Sequence, residues 1–151
     1  MTLLVVLVLS AVAVGGFPFA VRVLDRKAGW PLAALFIAAA WVMGRHVPDV
    51  ISHSPLSYKI TWLKDAIAPG MDIDFALRGD ALSVFFALLA LVIGAAVFIY
   101  SAAYLHNNDG NTSFYLIMSA FMLSVLLLVL SDDVVVLFIA WELVSIGSFL
   151  L

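Results

Sequence analysis

Long apolar blocks separated by short polar seams dominate the chain. A bilayer core about 30 Å thick takes about 20 residues of apolar helix to cross. Five blocks meet or approach that length, at about 3–21, 30–47, 81–105, 113–130 and 133–151. The second is the weakest, because Arg45 and His46 stand at its end. The first carries no Lys or Arg ahead of its apolar run and continues past Gly15-Gly16, so it reads as a span and not as a secretory leader. The pattern predicts an all-α transmembrane helix bundle. Small residues at helix-packing spacing, Ala90 with Gly94 and Ala11 with Gly15, would let neighbouring helices approach closely.

One long polar stretch interrupts the blocks, at 48–80. Within it, Met71-Asp72-Ile73-Asp74-Phe75-Ala76-Leu77-Arg78 alternates apolar and polar positions, the period of a strand. An earlier run, Lys59-Ile60-Thr61-Trp62-Leu63-Lys64, precedes the turn signal Pro69-Gly70. A small β-hairpin outside the membrane and an irregular loop are both compatible with this stretch.

Composition narrows the class. Hydrophobic residues make up 66% and charged residues 11%, against about half and about a quarter in soluble domains. Mean hydropathy is +1.20. A soluble domain of this size cannot hide that much apolar surface, so lipid is the expected solvent. Net charge is −3 without a basic stripe, which gives a nucleic-acid partner no support. With no Cys, disulfides and thiolate metal sites are excluded. Arg22, Arg26 and Lys27 cluster after the first block, which puts that loop in the cytoplasm and the N-terminus outside. The 48–80 stretch then lies outside, while the seam at 106–111 carries no Lys or Arg and adds nothing to the assignment.

The last block holds the unusual chemistry. Ser131-Asp132-Asp133 is a helix-start signal: Ser131 can cap free N–H groups, and acidic residues suit the positive end of the helix dipole. Capping is the bland account of both Asp residues, and an ion-access role is the competing one. Glu142 follows nine residues after Asp133, which is about 13 Å of helix and close to the bilayer midplane. A charged carboxylate there is expensive, and such residues usually mark ion pathways. A carboxyl that is neutral or ionised according to its partner is what a proton relay requires. Ser145 and Ser148 lie about 60° and 120° around the helix from Glu142, and Ser131 returns to nearly its face. The bland account of Glu142 is a protonated carboxyl bonded to a neighbouring helix. All three Lys residues lie in polar seams, so no cation of this chain is expected at Glu142's depth. His46, His53 and His106 are dispersed near or beyond the span ends and read as interfacial side chains, not metal ligands. Trp41 and Phe85-Phe86 read as packing or lipid contact, and Trp30, Tyr100, Tyr104 and Tyr115 as an interfacial aromatic belt.

The run Leu130-Ser131-Asp132-Asp133, with Trp141-Glu142-Leu143, Ser145 and Ser148-Phe149-Leu150-Leu151, resembles the N-terminal part of MrpA, the first subunit of Mrp-type Na+/H+ antiporters. Upstream pieces agree in order: Trp62-Leu63, Gly70-Met71-Asp72-Ile73-Asp74-Phe75, Ala81-Leu82-Ser83, Tyr100-Ser101 and Tyr104-Leu105. The resemblance covers roughly 60–151, and the first two spans only by hydropathy. Two departures stand out. Asp133 occupies the family's Asn, and an LDGLS-like stretch reads Leu77-Arg78-Gly79-Asp80-Ala81-Leu82-Ser83. That family is part of an antiporter-like superfamily that includes the proton-pumping membrane subunits of respiratory complex I. The resemblance implies a multi-pass cell-membrane protein within a hetero-oligomeric antiporter, exchanging Na+ and H+. It also implies that Glu142 takes part in proton translocation opposite a lysine on a later helix, and that an extracellular β-hairpin occupies 59–78. No cofactor and no metal site is expected.

Three function classes follow. The first is a component of an antiporter, the second a proton-pumping component of a complex I-like dehydrogenase or membrane hydrogenase, and the third a noncatalytic membrane scaffold. The last block reaches Leu151 without a polar flank, so 1–151 is expected to be the first membrane segment of a longer chain.

Overall fold

A computed structural model describes residues 2–24, 29–52, 55–63, 73–104 and 111–151. The protein is mostly helical, with one two-stranded sheet. Its elements are α1 (Thr2–Leu24), α2 (Gly29–Gly44), α3 (Val47–Ile51), β1 (Leu56–Leu63), β2 (Ile73–Gly79), α4 (Ala81–Tyr104), α5 (Asn111–Leu130) and α6 (Val134–Leu150). Two helical stretches, Ala81–Tyr104 and Ser113–Leu130, are long and apolar enough to cross a membrane; Thr2–Gly16, Gly29–Gly44 and Val134–Leu150 are shorter apolar helices.

The hairpin is present. β1 and β2 pair antiparallel, with Tyr58 opposite Leu77, Ile60 opposite Phe75 and Thr61 opposite Asp74. Alternation along β1 puts Tyr58 and Ile60 on one face and Ser57, Lys59 and Thr61 on the other, and a bulge interrupts it between Thr61 and Leu63. Lys59 Nζ lies 2.7 Å from Asp74 Oδ2, and Thr61 donates to Asp74 at 3.0 Å. The Lys59 ammonium, with help from the Thr61 hydroxyl, holds the Asp74 carboxyl below its ordinary value. The Pro69-Gly70 turn, the basic residues Arg26 and Lys27, His53, Lys64 and the seam at 106–110 lie outside the described residues.

Between the second block and the hairpin the sequence suggested only loop, yet residues 47–51 form α3. Proline is well tolerated in a first helical turn, where its missing N–H is not needed, and Pro48 occupies that turn. His46 ties this corner together, with Nδ1 3.2 Å from Asp49 Oδ2 and Nε2 3.1 Å from Thr2 Oγ1. Arg45 stacks over the exposed Trp41 ring, 4.8 Å from its centroid.

The core lies where α1, α2, α4 and α5 meet. Leu3, Leu32, Phe36, Leu91, Phe98 and Leu126 are buried there. Phe98 stacks on Phe36 at 5.2 Å and on Tyr115 at 6.2 Å between centroids. Tyr115 is only 3% exposed, so it belongs to this interior and not to an interfacial belt. Trp30, Tyr100, Tyr104, Phe85 and Phe86 do lie on the outside. The packing role expected of small residues splits in two. Gly94 admits Met122 into the space a Cβ would take, so α4 and α5 close up there. Gly15 meets nothing within 4 Å, and Ala11 is exposed, so that pair joins no seam among the described residues.

Candidate functional site

The start of α6 is built by its own sequence. Asp133 is the N-cap, in extended conformation, and its carboxylate accepts from Val135 N at 2.8 Å and Val136 N at 3.2 Å. The sequence offered Ser131 for this role. The structure gives Ser131 a different one: its hydroxyl donates to the Asp133 carbonyl at 3.1 Å, and the residue forms a lone antiparallel bridge with Leu77 of β2. α6 begins at Val134, so Ser131 lies before the helix and is not part of a polar stripe on it. The stripe that remains is Glu142, Ser145 and Ser148.

Asp80 does the same work for α4. Its Oδ1 accepts from Ser83 N at 2.8 Å, and Val84 N donates to its carbonyl at 2.9 Å. The Ser83 backbone donor, then the Ser83 hydroxyl, holds the Asp80 carboxyl below its ordinary value. The capping account of Asp133 therefore has direct geometric support, while Asp132 leaves its side chain exposed.

Val136, Ala140 and Gly147 are the buried residues of α6 and mark its packed face, which meets α5. A Cβ on Gly147 would come within 3.0 Å of Phe121 Cδ2, so the two helices are in close contact at that point. At 100° per residue, Glu142 lies about 140° away from the centre of that face. Phe138, Ser145 and Phe149 share its side of the helix, and all are exposed. Phe138 and Trp141 pack edge to face at 6.5 Å. The carboxyl is thus the one ionisable group on an otherwise apolar and hydroxylic helix surface that no described residue covers.

Among the described residues the ion pairs are His46–Asp49 and Lys59–Asp74, and neither involves Glu142. No cluster of three or more His, Cys, Asp or Glu among them could hold a metal. An apolar cleft of about 520 Å³ opens between the hairpin and the adjoining ends of α5 and α6, lined by Ile60, Thr61, Trp62, Phe75, Leu127, Val136 and Ile139. Among the described residues its lining holds no acid or base, and Glu142 is not part of it.

Known proteins resemble the chain in both sequence and fold. Residues 62–115 match the family described as NADH-ubiquinone oxidoreductase (complex I), chain 5 N-terminus. A Staphylococcus aureus protein named "Putative antiporter subunit mnhA2" is 39% identical over 132 residues, which is 86% of this chain and 16% of the relative. Its Staphylococcus epidermidis counterpart is 32% identical over 136 residues, 89% of this chain and 16% of that one. A chain in the structure of the Mrp complex from Dietzia sp. DQ12-45-1b superposes with a TM-score of 0.82 at 33% identity, over 100% of this chain and 16% of that one. This sequence matches the N-terminal part of MrpA. A chain of the membrane-bound sulfane sulfur reductase, an archaeal respiratory membrane complex, shares the fold at a TM-score of 0.72 and 18% identity, over 99% of this chain and 22% of that one. The MrpA-like segment spans about one sixth of the curated relatives' length, at 16%.

What the sequence missed is the stitching of β2 to the corner between α5 and α6. Asp132 N donates to the Ala76 carbonyl at 2.9 Å, beside the Leu77–Ser131 bridge. These are backbone bonds, and no side-chain signal announces which carbonyl a corner residue will find.

Proposed function

We propose that this chain is the first membrane segment of an MrpA-like protein in a multisubunit Na+/H+ antiporter of the cell membrane. Its five apolar helices, α1, α2, α4, α5 and α6, cross the bilayer with the N-terminus and the hairpin outside. Glu142 is its proton-carrying side chain. The observation that carries this reading is the place of Glu142: about 13 Å along α6 from its cap, on the face turned away from the helices of this segment.

The chemistry follows from that place. A carboxyl can carry a proton only if its surroundings favour the neutral form at one stage and the ionised form at another; an approaching ammonium group favours the ionised form and releases the proton. In the intact protein a lysine on a later helix would supply that charge. Glu142 Oε then takes a proton while the cation is distant and gives it up when the cation closes. Ser145 and Ser148 offer hydroxyls that can hold the water leading to it.

A proton-pumping component of a complex I-like enzyme is the second reading, favoured by the family match over 62–115. The identities of 32–39% to the Mrp and antiporter-named chains, against 18% to the archaeal respiratory chain, support the first. Neighbouring genes for further antiporter subunits would strengthen it, and NADH- or hydrogenase-type neighbours would favour the second.

The test is Glu142→Gln in everted vesicles. The amide keeps the shape and hydrogen bonding but cannot ionise. Loss of at least about 100-fold in exchange rate, with the complex still assembled, is expected for a group essential to proton transfer. Exchange at the parental rate would leave Glu142 as a structural carboxyl and this segment as a scaffold.

A further inference from the structure

We infer that strand β2 is a register clamp for α6, and that the Asp132 backbone N–H and the Asp133 carboxylate are positioning groups for Glu142. The inference rests on the proton-carrying reading of Glu142 for its consequence, though not for its geometry.

Three contacts meet at the corner ahead of α6. Asp132 N donates to Ala76 O at 2.9 Å, Leu77 bridges Ser131, and Asp133 caps the helix through Val135 N and Val136 N. The clamp is rooted in packed structure. Leu77 and Leu130, on either side of it, are both buried. Gly79, at the end of β2, sits so close to α1 and α4 that a Cβ there would come within 3.1 Å of Leu3 and 3.3 Å of Val84. The strand that holds α6 is therefore fixed to the core.

The side of α6 offers much less hold. Its buried residues are Val136, Ala140 and Gly147, and two of these three have almost no side chain to interlock with α5. Apart from the close Gly147–Phe121 contact, such a surface has few large side chains to fix its rotation. A slip of one residue moves a helix about 1.5 Å along its axis and turns it about 100°. That turn would carry the Glu142 carboxyl off the face it shares with Ser145. The clamp at the helix start adds an axial and rotational reference to that single close contact.

The Asp133 position adds a chemical detail. The cap needs an acceptor oxygen, not a charge, so Asn serves equally. If Asp133 instead provided charge for ions, Asn would fail.

The experiment uses the intact antiporter complex. Asp132→Pro deletes the donated N–H while favouring the extended conformation at Ser131 that the bridge already requires. Asp132→Ala removes the carboxylate but keeps the N–H. The segment has no native cysteine, so Ser145→Cys reports by thiol labelling how that face of α6 is presented. With Asp132→Pro we expect exchange to fall about tenfold or more, in line with the cost of a misplacement near 1 Å. Its pH profile should move and the labelling rate at residue 145 should change, while Asp132→Ala behaves as the parent. Asp133→Ala should reproduce the shifted profile, and Asp133→Asn should restore it.

A parental profile and parental labelling in Asp132→Pro, with Glu142→Gln still inactive, would overturn the clamp and leave the proton reading intact. If Asp132→Pro does not assemble, the Asp133 pair decides: failure of Asn to restore the profile overturns the positioning role. If Glu142→Gln keeps its exchange, the proton reading falls and labelling alone judges the clamp.

Discussion

The group of α1, α2, α4 and α5 and the single helix α6 have nearly the same composition, and they are used in opposite ways. In the group, Phe36, Phe98 and Tyr115 stack into one interior, and Leu3, Leu91 and Leu126 close around them. α6 is apolar on nearly every side, Glu142, Ser145 and Ser148 apart, yet it buries only Val136, Ala140 and Gly147. Phe149 is 88% exposed and Val134 81%. A helix apolar on every side is usually surrounded by protein or lipid. The difference teaches that hydropathy marks which segments leave water, while packing decides which of them have found their neighbours. The one ionisable residue of α6 sits on the side that no described residue covers.

The strongest way to sharpen that contrast is to hollow out each region. Phe98→Ala removes a fully buried ring and should cost about 3–5 kcal/mol, seen as loss of the assembled complex or a large drop in melting temperature. Phe138→Ala on the open side of α6 should cost about 2 kcal/mol in the intact complex if further protein covers that side, as the functional reading requires. A cost within about 0.5 kcal/mol would put the same surface against lipid or water.

A smaller effect is expected along the seam between α5 and α6. A Cβ at Gly147 would press on Phe121 at 3.0 Å and 3.3 Å, so Gly147→Ala should cost about 1–2 kcal/mol and tilt α6. Gly15→Ala meets open space and should be neutral or stabilising by up to about 1 kcal/mol through helix propensity. Thermal unfolding of the two variants side by side checks this. Equal losses would mean that α6 is no more tightly seated at Gly147 than α1 is at Gly15.

The smallest effect concerns the hairpin. Lys59 lowers the Asp74 carboxyl in the folded state. The stabilisation is therefore present above the ordinary carboxylate value of 3.8, and it disappears as pH falls through the lowered folded value. Trp62 fluorescence should be flat from about pH 5 to 9. Asp74→Asn should leave the pH profile of exchange unchanged over that range. An unchanged profile would remove the hairpin as a source of pH dependence, and a hairpin variant that moved the profile would erase the contrast between the two regions.

The helices were legible because runs of this length and apolarity have nowhere to go but out of water. The hairpin was half legible: alternation at 73–78 marked β2, but an irregular loop could read the same. Three features escaped for physical reasons. α3 is five residues long, too short to show a period. Ser131 and Asp133 are both good caps, and the choice depends on where β2 captures the chain. Which side of α6 meets α5 cannot be read from a helix whose apolar residues run almost all the way round it. For the candidate site, the sequence singled out Glu142 and its distance along α6 from the cap. Its direction away from the other helices came only from the buried Val136, Ala140 and Gly147.

The most direct measurement is infrared difference spectroscopy of the intact complex across the pH range of exchange, comparing parent with Glu142→Gln. A proton-carrying Glu142 predicts a protonated-carboxyl band in the parent that appears and vanishes with pH and is missing in the variant. A parental spectrum free of any such titrating band, or one that Glu142→Gln leaves unchanged, would contradict that role for this side chain.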